Sequence, residues 1–308
     1  MRPSAGGAAA LCFFMLCACS ADDASVTVER FHRMSREEIA RTLRDIHDTT
    51  PHLEGRIMRV SERFLDTPYR RGPLGEGPSG EFDTDPLINF QAADCTTLVE
   101  QVMALSLEPD LDRAGQLLQK IRYKGGKISY LDRNHFPETD WIPNNISTGF
   151  LKDITRLVGG GQTRIATKVI DKTAWYAAKT EGDLAGFEKA LPKERRRRLA
   201  RMRELGARFQ TQRAELPYVP VDVLPQVLDR VPNGTIANLV REDAPDKPLM
   251  VSHQVFLILK GRAWYVRHAA LAREVEDVPL ADYFRKYASY KWRLLGVNLN
   301  SVVPVRGF

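Results

Sequence analysis

The sequence predicts an α+β fold. Apolar residues recur every three or four positions through much of the first third of the chain, whereas short alternating patterns dominate beyond residue 234. The two kinds of segment are separated rather than interleaved, which argues against a βαβ architecture. At 308 residues and 34.8 kDa there is room for one large domain or two modest ones.

Two helices come first. "SREEIARTLRDIHDTT" (35–50) carries a start signal in Ser35 and the acids after it, and "HLEGRIMRVSERFLDT" (52–67) continues the same period. The stretch 68–87 is rich in Gly, Pro and Asp and reads as a loop. Residues 95–107 form a third helix, with Leu98, Val99, Val102, Met103 and Leu105 on one apolar face and Asp94 as its N-cap. Segment 127–145 is irregular, polar and aromatic, the kind of loop where sites tend to lie. Residues 160–215 read as a basic, helical insertion. Its 187–216 helix carries the run Arg195–Arg198 as a solvated face. Strands follow in "GTIANLVR", "VSHQVFLILK", "AWYVRHAA" and "WRLLGVNLNSV". Gly261-Arg262 suits a two-residue hairpin turn, which sets residue 255 opposite 268 and 253 opposite 270.

The composition is that of an ordinary soluble domain, 43% hydrophobic and 27% charged. A formal charge of +6 points to an anionic neighbour such as cell wall or lipid head groups. No nucleic-acid-binding motif accompanies that charge, so no nucleic-acid partner is expected. The N-terminus, "MRPSAGGAAALCFFMLCACS", has a basic residue, a short apolar run and small residues, the order of a secretory signal. Its end, "LCAC", resembles a bacterial lipobox, so residues 1–19 are expected to be a lipoprotein-type signal with Cys19 lipidated. Cys17 is the weaker acceptor, and simple cleavage near Ala18 or Ala21 is the alternative. A linker over 20–34 and a single domain over 35–308 complete the expected organisation, which places the protein in the periplasm, held to the membrane through the lipid.

Once that leader is removed Cys95 stands alone, which rules out an intrachain disulfide framework. Two readings of Cys95 remain at this point. A small buried core residue is one. The other is a nucleophile at a helix N-terminus, where unpaired N–H groups and the dipole favour a thiolate and hold an oxyanion. Such a nucleophile needs a base. His32, His47 and His52 lie on or beside the first helices, and His135 in the irregular segment. In the hairpin register above, His253 and His268 become diagonal neighbours on one face, roughly 7–8 Å apart. A helix packing its apolar face on that sheet would bring Cys95 to the same face as the two rings. There is no CxxC, no HExxH and no glycine-rich phosphate loop, so neither metal nor cofactor is expected.

The set "TPYRRGPLGEG", "DTDPL", "DCTTLVEQVMALS", "RNHFPETDWIPNN", "LKDIT", "LPYVP", "VSHQVFLIL" and "RHAA" resembles a bacterial family described as N-acetylmuramoyl-L-alanine amidase-like, within the NlpC-type papain-like cysteine hydrolases of the cell wall. The resemblance covers about residues 50–300. It implies a papain-like core with Cys95 as nucleophile, His253 as general base and His268 as the polar residue that orients the base. It also implies that Tyr69, Glu76, Asp94, Arg133, Asn134, His135, Trp141 and Asn144 meet the substrate, with Asp140 in the same segment. An equal alternative for the 133–144 residues is loop architecture, a buried Arg–Asp pair beside a packed Trp. The sequence departs from the family pattern at Gln254 and Val255 after His253, and at Ala270 where a serine is usual. The implied substrate is peptidoglycan or its muropeptide fragments, cut between N-acetylmuramic acid and L-alanine by a protein that acts as a monomer. Cleavage after γ-D-glutamate is the alternative bond, and a non-hydrolytic wall-binding lipoprotein is the alternative class.

Overall fold

Eight strands form one sheet in the computed structural model, which describes residues 28–287 and 289–304 together with Met1. They are β1 (Leu151–Asp153), β2 (Arg164–Ile170), β3 (Gln212–Pro220), β4 (Thr235–Arg241), β5 (Val251–Lys260), β6 (Ala263–Ala269), β7 (Val275–Pro279) and β8 (Leu294–Val302). All pairings are antiparallel, in the order β2-β3-β8-β4-β5-β6-β7, with β1 added on β8. The helices are α1 (Arg36–Thr49), α2 (Leu53–Arg63), α3 (Cys95–Leu107), α4 (Leu111–Arg122), α5 (Ile142–Ser147), α6 (Thr155–Gly159), α7 (Lys172–Ala177), α8 (Pro192–Gly206) and α9 (Leu280–Tyr287). The α+β class holds. The signal segment and Cys19 lie outside the described residues, and among the described residues no helix is long and apolar enough to cross a membrane.

Local chemistry explains the helix limits. Ser35 and Glu38 close a capping box on α1, the Glu38 carboxylate accepting from the Ser35 N–H at 2.7 Å. Asp94 does the same for α3: its Oδ1 accepts from the Thr97 N–H at 2.8 Å, and Thr97 Oγ1 accepts from the Asp94 N–H at 2.9 Å.

The sheet has two covered faces. Leu98, Val99 and Val102 of α3 share one core with Phe256 and Ile258 of β5 and with residues from α1, α2 and α4. Each such side chain contributes roughly 1.5–3 kcal/mol by leaving water. The other face carries Val255, Leu257 and Val266, covered by α6 and by Leu280, Tyr283 and Phe284 of α9. A third, small cluster of Phe82, Tyr130, Tyr176, Leu184 and Met202 is joined to the α3 core through Trp175, which packs against both.

Two features of the sheet matter for the site. Lys260 pairs with Ala263 around Gly261, whose φ of 60° suits only glycine comfortably, and the ladder continues to Phe256 opposite Arg267. This is the expected register. Further along β5, Asn238 pairs with Gln254 but Val240 pairs with Val251. Ser252 and His253 therefore oppose the single residue Leu239, a β-bulge that re-aims the side chains at this end of the strand.

The 160–215 segment differs from its expected helical character. Only Pro192–Gly206 of the long basic stretch is helical; residues 164–170 and 212–220 pair as β2 and β3 and extend the sheet. Alternation in "RIATKVI" and "QRAELPYVP" decides this, burying Ala166, Lys168 and Ile170 against Ala214, Leu216 and Tyr218. Arg195 pairs with Glu181, and Arg198 pairs with Glu194 and donates to the Glu81 carbonyl, so part of the basic run ties the insertion down.

Candidate active site

Cys95 is the first residue of α3 and is half-buried. Its Sγ lies 3.9 Å from Thr96 Oγ1 and receives the backbone N–H of Gln254, the residue that follows His253 on β5. The bulge therefore sets the sulfur against the strand that carries the histidine.

His253 and His268 meet directly. Nε2 of His253 lies 3.1 Å from Nδ1 of His268, and the rings are edge to face. His268 in turn lies against Tyr283 of α9 at 4.9 Å. Across the β6–β7 ladder His268 is the register partner of Glu276, and its Nε2 lies 3.7 Å from Glu276 Oε1. Arg273 donates to both Glu276 oxygens, to Oε1 at 3.2 Å and to Oε2 at 2.7 Å. The imidazole pair thus has a carboxylate behind it.

Two expectations about this centre need correction. The body of α3 packs on the Phe256/Ile258 face, whereas His268 belongs to the opposite face with Val266 and Tyr283. The helix does not lie over the rings; its first residue meets the backbone of β5 beside them. Second, the helix N-terminus does not leave Cys95 as a thiolate. Burial, reinforced by the Asp94 carboxylate, pushes the thiol up to about 12, against the smaller opposing pull of the Gln254 and Thr96 contacts. Burial also lowers His253 to about 3, with His268, Arg241 and Lys286 adding to the effect. His268 falls to about 4, chiefly by burial and then by the Lys286 charge. The resting centre is a neutral thiol beside neutral imidazoles.

The other expected residues divide sharply. Tyr69 stands beside Cys95: burial, then Cys95 and Asp94, raise its phenol to about 12, and a bridge to Ala93 fixes its backbone. Asp94 caps α3 and accepts from the Gly72 N–H at 2.9 Å. A cavity of about 510 Å³ opens at this end of α3, lined by Gly72, Asp94, Thr96 and Thr97, and farther out by Arg133 and His135. Cys95 and the two imidazoles lie outside that lining. His135 is held in an aromatic box with Tyr130 and Trp175, and its Nε2 contacts the Tyr130 carbonyl at 2.8 Å.

Glu76, Asn134, Trp141 and Asn144 are each engaged within the protein, and Asn134 also lines the cavity. Glu76 accepts three backbone N–H groups, from Phe82, Asp83 and Tyr130, and so fixes the loop. Trp141 is fully buried and donates to Glu100. Asn134 donates to the Ile121 carbonyl and accepts from Asn144. The Arg133 partner is Asp83 at 2.8 Å, and Asp140 pairs instead with Lys172. Glu276, Tyr283, Trp175 and Lys179 were not expected at the site. Glu276 sits on a five-residue strand, too short to show its alternation, yet its register against His268 places it. Among the described residues no group of three or more His, Cys, Asp or Glu side chains is arranged to hold a metal ion.

Comparison with known proteins agrees with this frame. A protein of Legionella pneumophila strain Philadelphia 1, from a family of unknown function, has 30% identity to this chain with a TM-score of 0.80, covering 87% of this chain and 95% of its own. An N-acetylmuramoyl-L-alanine amidase from Bacteroides uniformis has the same fold at 23% identity and a TM-score of 0.61, covering 82% and 99% respectively. No curated protein matches. The sequence profile of the AmiA-like, N-acetylmuramoyl-L-alanine amidase-like proteins matches residues 59–290, and the chain belongs to that family of amidase-like peptidoglycan hydrolases.

Proposed function

We propose that the protein hydrolyses the amide between N-acetylmuramic acid and L-alanine in peptidoglycan, with Cys95 as nucleophile on an NlpC-type papain-like core. The 3.1 Å contact between His253 and His268, on the strand whose next backbone N–H meets the Cys95 sulfur, carries the reading.

The chemistry follows from the tautomers. With the His268 proton on Nε2, the side that faces the Glu276 carboxylate, Nδ1 of His268 accepts from Nε2–H of His253. Nδ1 of His253 then holds a lone pair, the base that a neutral thiol requires. As Sγ bonds to the amide carbon, His253 takes the thiol proton, and backbone N–H groups at the α3 N-terminus hold the oxyanion. The C–N bond breaks as His253 gives that proton to the leaving amine. Water activated by His253 then cleaves the thioester, releasing the acid and restoring the thiol.

On this reading the protein is exported and anchored through lipid on Cys19. The test is incubation with purified muropeptides and mass spectrometry of the products, whose masses name the bond. Release of the whole stem peptide is expected, and none with Cys95→Ala. No release by the wild type, or full activity in Cys95→Ala, would overturn the proposal; a product cut after γ-D-glutamate would overturn the assigned bond.

A further inference from the structure

The cavity beside α3 is lined by as many acids (Asp83, Asp85, Asp94, Glu100 and Asp183) as Lys and Arg side chains, but the acids are engaged and the cations at one end are not all matched one to one. Asp83 is taken by Arg133, Asp85 by Arg70 and Glu100 by Arg122. Asp94 is taken by Gly72 and Thr97. Arg71 lines the same cavity, is exposed, and has no ion pair or hydrogen bond among the described residues. Arg133 keeps a second unmet demand: its buried Nε and Nη2, the edge that suits a carboxylate, have no acceptor and lie among the rings of Tyr123 and Tyr130.

Lys179 completes the group. It pairs with Asp183 at 3.0 Å, and its Nζ sits 3.6 Å from the centre of the Trp175 ring. Burial lowers its pKa, and Arg71 and Arg133 add to that, so the three cations feel one another across the cavity.

We infer that this end of the cavity is a carboxylate-binding subsite, in which Arg71 and Lys179 contact the anion, Trp175 supplies an apolar wall and Arg133 a fixed charge. The ligand class is a short peptide bearing a free carboxylate. Two separated cations beside an aromatic wall suit a carboxylate on an apolar backbone, and a cavity of about 510 Å³ is of the size that takes a small peptide. The inference rests on the amidase reading for which molecule brings that carboxylate, since a stem peptide lying near Cys95 carries several.

The test is calorimetric titration of the full chain carrying Cys95→Ala, which binds without turnover. The probes are L-alanyl-γ-D-glutamate and its diamide. The acid should bind about tenfold more tightly than the diamide, the size of a lost charge-assisted hydrogen bond. Raising salt from about 50 to about 500 mM should erode most of that difference. Arg71→Ala and Lys179→Met should each weaken acid binding about fivefold to tenfold and leave diamide binding unchanged, while Lys179→Arg retains it. Equal affinity for acid and diamide, no binding of the acid at millimolar concentration, or variants that bind like the parent would each overturn the subsite. Its failure is distinct from failure of the enzyme. A wild type that hydrolyses muropeptides without acid preference sinks the subsite alone, and acid preference without hydrolysis sinks the amidase alone.

Discussion

The reactivity of Cys95 separates two mechanisms that would look alike in an activity assay. A thiol raised from 9.0 to about 12 holds about a thousandfold fewer thiolates than an ordinary cysteine at any pH below its usual range. Because alkylation needs the thiolate, iodoacetamide should modify native Cys95 about a thousandfold more slowly than the same residue in guanidinium-unfolded protein. The rate should climb about tenfold per pH unit from about pH 6 to about 10 without a plateau. The assay is peptide mapping of Cys95 by mass spectrometry at a series of quench times. An inflection below about pH 8, with native alkylation at neutral pH as fast as in the unfolded chain, would reveal a resting thiolate–imidazolium pair. The neutral centre, and proton transfer during attack, would then be wrong.

The remaining predictions use other parts of the same frame. His268 is a base whose folded pKa, about 4, lies below the usual 6.5, so the unfolded chain takes its proton first and stability falls as pH drops from about 6.5 to about 4. His268→Gln should flatten that acid loss by about 3 kcal/mol in urea melts, and parallel curves would refute it. Glu276→Gln weakens the tautomer preference of the imidazole pair. It should lower kcat about tenfold or more with KM unchanged; an equal rise in KM would mark Glu276 as a binding residue instead. Arg122→Met strands the buried Glu100 carboxylate, already pushed upward by burial, and should cost about 3–5 kcal/mol by denaturant melts. A loss below about 1 kcal/mol would show that water reaches the pair.

The sequence made some of this legible and hid the rest for identifiable reasons. A two-residue turn at Gly261 allows only one register, so His253 and His268 could be placed near each other from letters alone. Asp94 and the apolar period after it bracket α3, whose limits match the structure at both ends. The face on which α3 lies was not legible, because both faces of β5 are apolar and alternation cannot choose between two hydrophobic layers. The bulge at Ser252–His253 depends on the partner strand, so no property of β5 by itself announces it. The raised thiol is likewise a three-dimensional fact: a helix N-terminus is a local feature, and the burial that overrides it is not. Among the residues expected to touch substrate, Glu76 and Trp141 are fixed by Tyr130 and Glu100, partners 54 and 41 residues away that spacing does not connect.

The small cluster of Phe82, Tyr130, Tyr176, Leu184 and Met202 has a consequence for how this protein can change. It fastens the cavity wall bearing Trp175 and Lys179, shares no fully buried member with the cores on the two sheet faces, and meets the α3 core through Trp175. Gly206 is its tightest joint, since a Cβ there would stand 2.2 Å from atoms of Tyr176. Wedging that joint would loosen the wall while the sheet and its two histidines kept their own packing. What the cavity accepts can therefore drift under mutation in a layer that a melting temperature does not guard, and screening variants by heat resistance alone would pass the ones whose ligand preference had already moved.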